Sequence, residues 1–444
     1  MDKAIAKQIV DNNLNTLIDL LKIKSIYNET SASKTMPFGK GVYDALFFME
    51  ELAKKDGFIV TNYDNQAISF EIGSGESRID IASHLDVVYA KDDAFNIRLE
   101  DGLLYGRGTS DMKVPMFMTY LALKELKNKY SSSNKRLRIV LGSDEERTMN
   151  DMKHYISVAG YPDFAFTPDG TFPMGIGEKG ALMWTLEGKY SGVISSFDGG
   201  SQCNIISPFA TCVLNDNDNL ERINKYIVEN NINGKAYIEN NKTIISIKGK
   251  AAHASRPKEG HNATIDLLRI IKDIYNDELC TNLYGIFSNS YGKGFDSFVS
   301  EDKYRSLTVN LGRLTIENNN VFGQVDSRYP YGTNAEDLTN RIKNKCIINA
   351  SLDYNDEPTE CDINDPYVKC MLDKYYEITN DNNEPIISGG VSYSKVFKHC
   401  VSFGPNELNK PSLAHQENEY VEMEDVYKWF VVYYSVMESL LLME

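Results

Sequence analysis

Apolar residues along this chain follow several distinct spacings. Between residues 5 and 23, Ile9, Leu14, Leu17, Leu20 and Leu21 recur at the three-to-four spacing of an amphipathic helix. Three short apolar runs follow, each passing directly into polar chemistry. Residues 79–83 lead into His84-Leu85-Asp86, 137–141 into Ser143-Asp144-Glu145-Glu146, and 164–167 into Pro168-Asp169. Residues 113–127, between the first two runs, are rich in Met, Leu, Ala and Lys, all good helix formers. Strand, helix and strand at this spacing predict a layered α/β domain. After about residue 182 the texture changes. Alternating runs at 243–247 and 321–326 predict antiparallel strands, with helices at 263–275 and 335–345 between them and an exposed turn at Asn318-Asn319-Asn320. From about 362 the pattern returns to a helix (367–378), a strand (400–403) and a terminal helix (424–442). The expected fold class is therefore α/β, with a mixed sheet flanked by helices over residues 1–182 and 362–444. An α+β domain at 183–361 is inserted into it.

Composition narrows the function. Among 444 residues, 47 basic and 63 acidic side chains leave a net charge of −16. So acidic a chain argues against a general nucleic-acid binder and against docking on an anionic membrane. The first residues carry an acid at Asp2 and no apolar signal region, and no stretch approaches 18 apolar residues without a charge. Seven cysteines are scattered without a Cys-x-x-Cys pair, which favours free thiols over a disulfide framework or a thiolate metal site. A reduced, cytoplasmic protein is expected.

The chemistry sits where the apolar runs end. Ligands in open α/β sheets collect beyond the carboxyl ends of the strands. Those ends offer His84, Asp86, Glu145, Glu146 and Asp169, while Asp111 follows the turn Gly106-Arg107-Gly108. Imidazole and carboxylate donors without thiolates suit zinc, manganese or cobalt. His84 and Asp86 share a face of an extended segment, so the acid can orient the ring. Glu145 and Glu146 diverge, so that one can ligate while the other serves as a base. His154, His261 and His399 read as structural or surface groups. Gly175-Ile176-Gly177-Glu178-Lys179-Gly180 satisfies a dinucleotide fingerprint, but a strand-like run follows where that site needs a helix. No serine-hydrolase elbow or phosphate-binding lysine motif occurs.

Six ordered segments carry a resemblance: Ser83-His84-Leu85-Asp86-Val87-Val88, residues 104–113 (LYGRGTSDMK), Ser143–Glu146 (SDEE), Thr167-Pro168-Asp169-Gly170, residues 253–263 (HASRPKEGHNA) and residues 414–420 (AHQENEY). Together they resemble the co-catalytic metallopeptidases that include carnosine dipeptidases, carboxypeptidase G and acetylornithine deacetylase, and most of all their PepV-like bacterial dipeptidases. The resemblance implies two divalent ions, zinc first, bridged by Asp111. His84 and Asp169 would complete one site, and Glu146 and His415 the other. Glu145 would be the general base, Asp86 would hold His84, and His253 of an inserted lid would donate to the oxyanion. It further implies that Asn204, Arg328 and the segment holding Gly390, Ser392 and Lys395 contact a small peptide substrate, the Arg328 fork suiting a carboxylate. In the family the peptide after the bridging Asp is cis. Two departures stand out: Met112 replaces the usual second acid, and Lys395 stands where relatives carry Arg. The expected protein is a monomeric two-metal dipeptidase, with β-alanyl or Xaa-His dipeptides among its candidate substrates. An N-acyl-amino-acid deacylase and a catalytically silent metal-dependent binding protein are the alternatives.

Overall fold

The computed structural model describes residues 1–302, 304–408 and 410–443. The chain forms two compact units, Met1–Gly177 with Glu360–Glu444, and Glu178–Thr359.

The first unit is built on a mixed sheet. Its strands run in the order Thr61–Tyr63, Ala67–Ile72, Lys135–Gly142, Ser77–His84, Phe164–Thr167, Cys400–Ser402 and Gly175–Glu178. Lys135–Gly142, Ser77–His84, Phe164–Thr167 and Cys400–Ser402 are mutually parallel, with antiparallel neighbours on both flanks. Parallel strands covered on both faces carry near-continuous apolar runs. Here Ile79, Ile81, Ala82, Leu137, Ile139, Val140, Phe164, Ala165 and Phe166 are all buried. Helices Lys3–Leu21, Lys113–Tyr130, Pro366–Thr379 and Met423–Leu442 pack against one another, and Lys113–Tyr130 also lies on the sheet. The first helix starts at Asp2, whose carboxylate caps the Ala4 N–H at 2.8 Å. Lys113–Tyr130 is buried almost all round its first three turns. The Asp111–Met112 peptide at its start is cis.

The second unit is an eight-stranded antiparallel sheet. The order is Gly234–Glu239, Lys242–Lys248, Phe209–Leu214, Ile194–Gly199, Thr308–Glu317, Asn320–Tyr329, Gly180–Lys189 and Asn349–Asp356. Two of its helices, Ala263–Tyr275 and Ala335–Lys345, coincide with the predicted spans. Each opens on an asparagine, Asn262 and Asn334, whose side chain accepts backbone N–H groups. Fully buried Trp184 donates its Nε1–H to Thr339 at 3.1 Å, which ties the second of these helices to the sheet. Asn318 and Asn319 form the predicted turn, both with positive φ, a conformation asparagine tolerates better than most residues. The Gly175–Gly180 segment lies in two strands, so it forms no phosphate-binding loop. Helices Lys40–Lys55, Asn150–Ala159, Leu220–Glu229 and Glu278–Phe287 were not apparent from the periodicity. All seven cysteines are free. Among the described residues no helix is long and apolar enough to cross a membrane.

Candidate metal centre

Three neighbouring parallel strands deliver most of the candidate ligands. Ser77–His84 ends on His84, which lies opposite Gly142, the last residue of the adjacent strand. Ser143, Asp144, Glu145 and Glu146 therefore emerge beside it. Phe164–Thr167, on the other side, places Asp169 two residues past its end. Asp111 arrives on the loop before helix Lys113–Tyr130. His415 comes from the segment before strand Tyr420–Glu422, which pairs with Leu103–Tyr105.

These side chains converge. Nε2 of His84 lies 3.3 Å from Asp111 Oδ1, 3.6 Å from Asp169 Oδ2 and 3.9 Å from Glu145 Oε2. Nε2 of His415 lies 3.0 Å from Asp111 Oδ2 and 3.2 Å from Glu146 Oε1. The two oxygens of Asp111 thus face two different imidazoles, the disposition of a bridging carboxylate. Two ligands each about 2.0–2.1 Å from a tetrahedral ion lie roughly 3.3 Å apart, so the observed separations leave room for ions between the donors. His84, Glu145 and Asp169 form one group able to hold an ion, and His84, Asp111 and Glu146 another.

The fit extends to the surrounding hydrogen bonds. His84 Nδ1 sits 2.9 Å from the Asp86 main-chain carbonyl and 3.4 Å from its carboxylate. That contact leaves Nε2 toward the acids, where it is buried and makes no hydrogen bond of acceptable geometry. An orphaned buried nitrogen facing carboxylates suits a cation. The Asp86 carboxylate also accepts the N–H of Glu145 at 3.3 Å and of Glu146 at 3.1 Å, so one acid orients the ring and both glutamates. Hydrogen bonds to Asp111 and Glu146 push the His415 pKa up to about 10. Burial opposes a charge on His84, yet the neighbouring carboxylates of Asp111, Asp169 and Asp86 raise its pKa well above the usual range. Burial raises the Glu145 carboxyl well above its ordinary value, and the charges of Asp169, Glu146 and Asp111 add to this against that of His84.

The remaining predicted residues fall in two places. In the second unit, the Asn204 carbonyl accepts the Ala254 N–H at 2.8 Å, and Ile205 bridges to His253. His253 Nδ1 lies 2.7 Å from Ser255 Oγ, while Arg328 forks onto Asp326 at 3.2 and 2.9 Å. Burial, then the charge of Arg328, lowers the His253 pKa, with Asp326 opposing. In the first unit, Gly390 is exposed, Ser392 is buried with its Oγ accepting the Ser394 N–H at 3.2 Å, and Lys395 closes a short turn. Met112 is fully buried and makes no part of the carboxylate cluster. His154, His261 and His399 lie on acidic surface partners, Asp64, Asp266 and Asp365.

Two contributors escaped the sequence reading. Asp151 accepts the N–H of Ser143 and of Asp144 and the Tyr393 hydroxyl on a single oxygen, which fixes the turn that carries Glu145 and Glu146. No spacing signalled this. Glu419 is buried against Arg107 at 2.6 Å. Its signal was available, as an acid inside the segment that carries His415 and an arginine inside the glycine turn.

The sequence profile of peptidase family M20/M25/M40 matches residues 81–439, so the chain belongs to that family and is a metal-dependent peptidase. Across 99% of both chains it is 28% identical to a Staphylococcus aureus (strain bovine RF122 / ET3-1) protein named "putative dipeptidase". The fold is similar to that of human carnosine dipeptidase 1, with a TM-score of 0.58, 13% identity, and 99% of both chains covered. It is also similar to that of an M20 family metallo-carboxypeptidase from Sulfolobus solfataricus, with a TM-score of 0.57, 17% identity, and 97% and 99% covered.

Proposed function

We propose that the protein is a two-metal dipeptidase acting on short peptides with a free amino terminus. The observation that carries this reading is Asp111, whose two carboxylate oxygens face His84 and His415 separately. His84 and Asp169 would hold one ion, Glu146 and His415 the other, with Asp111 shared. Zinc is the first expectation, and manganese or cobalt also suit so carboxylate-rich a site. When bound, such ions polarise a peptide carbonyl and acidify water.

The protein's own groups supply the rest. Glu145 has a buried oxygen without a partner and a carboxyl whose proton affinity is raised by burial and neighbouring acids. It is suited to take a proton from the attacking water and to return it to the leaving amine. Asp86 holds the Glu145 and Glu146 backbone and the His84 ring in place. We assign substrate contacts in the second unit to Asn204, His253 and Arg328. A neutral imidazole can donate to a developing oxyanion, and a guanidinium can fork onto a terminal carboxylate. In the first unit, Gly390, Ser392 and Lys395 are assigned to the same task. The inserted unit is read as a lid and the protein as a monomer.

Metal-stripped protein resupplied with zinc or manganese should cleave a panel of dipeptides that includes β-alanyl-histidine. Turnover of an N-acetyl amino acid alone would identify a deacylase instead. Inactivity on both classes under either ion would leave a binding protein.

A further inference from the structure

Glu419 has no place in the roles assigned above, yet its carboxylate is the most heavily engaged acid near the centre. It is 2% exposed and lies four residues beyond His415. Oε1 accepts the N–H of Ser110 at 2.7 Å and of Asp111 at 3.1 Å, while Oε2 accepts the N–H of Gly108 at 3.2 Å and Arg107 Nη1 at 2.6 Å. Nη2 of Arg107 reaches the Gln416 carbonyl at 3.3 Å, and the Gly106 N–H donates to the Glu419 carbonyl at 3.0 Å. Gly106 and Gly108 both have φ in the left-handed range, which curls the loop so that three N–H groups point at one anion. The segment presenting Asp111 and the segment presenting His415 are therefore fastened at one point.

We propose that Glu419, held by Arg107, is a positioning residue that sets metal affinity by fixing Asp111 against His415. The proposal rests on the two-ion reading above. His415 is half exposed and has a positive φ of 65°, so its ring depends on the anchoring of its loop. The Asp111 amide is held by Glu419 directly. The 3.0 Å separation between Asp111 Oδ2 and His415 Nε2 then follows from one buried carboxylate that touches neither ion nor substrate. Glu419→Gln tests this with no change of volume. Each oxygen already accepts two donors, so an amide NH2 must face a backbone N–H or Arg107 whichever way it turns.

Metal-stripped, full-length protein is titrated with manganese by calorimetry, and its metal-free thermal unfolding is recorded alongside. Glu419→Gln should bind one equivalent about 10–100-fold more weakly, the size of effect seen when an outer-shell partner of a ligand is lost. The other equivalent, which shares Asp111 but does not use His415, should weaken by a smaller factor. Arg107→Lys, which keeps the cation but not the fork, should weaken the more affected equivalent to a lesser degree. Wild-type affinity for both equivalents, or equal weakening of both, overturns the proposal, as does a lower unfolding temperature with unchanged affinity. Should Glu419→Gln fail to fold, Arg107→Lys decides by the same criteria. A wild-type protein that takes up a single equivalent refutes the two-ion reading, and the proposal then stands or falls on whether that equivalent weakens.

Discussion

Asp151 collects all of its donors, Ser143 N–H, Asp144 N–H and the Tyr393 hydroxyl, on Oδ2, while its buried Oδ1 has no partner. Burial and the charge of Asp86 push its pKa up to about 7. The native state thus binds a proton between about pH 4 and pH 7 that the unfolded chain has released. This contribution to stability is complete below about pH 4 and is lost as pH rises through about 7. Asp151→Asn keeps the accepting oxygen and removes the titration. Urea unfolding of metal-free protein from pH 4.5 to 7.5 should show a flatter stability profile for the variant. Glu145→Gln should lower kcat by about 10²–10⁴-fold, the range of general-base contributions. Bound metal, measured by elemental analysis, should remain near the wild-type amount. Residues such as His84 and Glu145 were legible because each follows an apolar strand directly. Asp151 was not, because it acts chiefly on backbone N–H groups, which carry no sequence mark, whereas Glu419 lay inside a segment already singled out and went unread.

Elements were legible where periodicity and caps agreed. Helix Ala263–Tyr275 has Asn262 as its cap and Leu267, Ile270, Ile271 and Ile274 on its buried face. Helix Lys40–Lys55 instead begins at Gly39 without a side-chain cap and exposes Phe47, so its pattern is blurred at the start and on its outer face. Strand ends matter as much as strands. Gly142 closes Lys135–Gly142, and a Cβ there would meet the Tyr393 hydroxyl and Asp151 Oδ2. Gly142→Ala should destabilise the protein by about 1–3 kcal/mol, the usual cost of overpacking. It should also weaken metal binding, because the Ser143–Glu146 turn must move. Denaturant unfolding with parallel metal titration measures both effects.

At the scale of the molecule, the change of texture near residue 182 marks the passage from parallel, doubly buried strands to alternating antiparallel ones. The sequence predicts an inserted domain at 183–361, and the two compact units are Met1–Gly177 with Glu360–Glu444, and Glu178–Thr359. Each has its own core. One cluster in the second unit runs from Leu182 to Ala350, while the candidate ligands all lie in the first. Calorimetric scans should therefore resolve two unfolding transitions. Adding metal at about 100 times its Kd should raise only one of them, by about 2.7 kcal/mol of ligand linkage for each ion bound, and chelation should reverse the shift.

The placement of Cys400–Ser402 beside Phe164–Thr167 carries a consequence for synthesis on the ribosome. These neighbours in one parallel sheet are separated by the whole of Glu178–Thr359. At about 5–20 residues per second the earlier strand waits roughly ten seconds to most of a minute for its partner. The inserted unit has all its strands contiguous in the chain and can close first. His415 emerges later still, so the nascent protein carries His84, Asp111, Glu146 and Asp169 well before the last candidate ligand exists. Under the two-metal reading, metal capture therefore waits until His415 has been made.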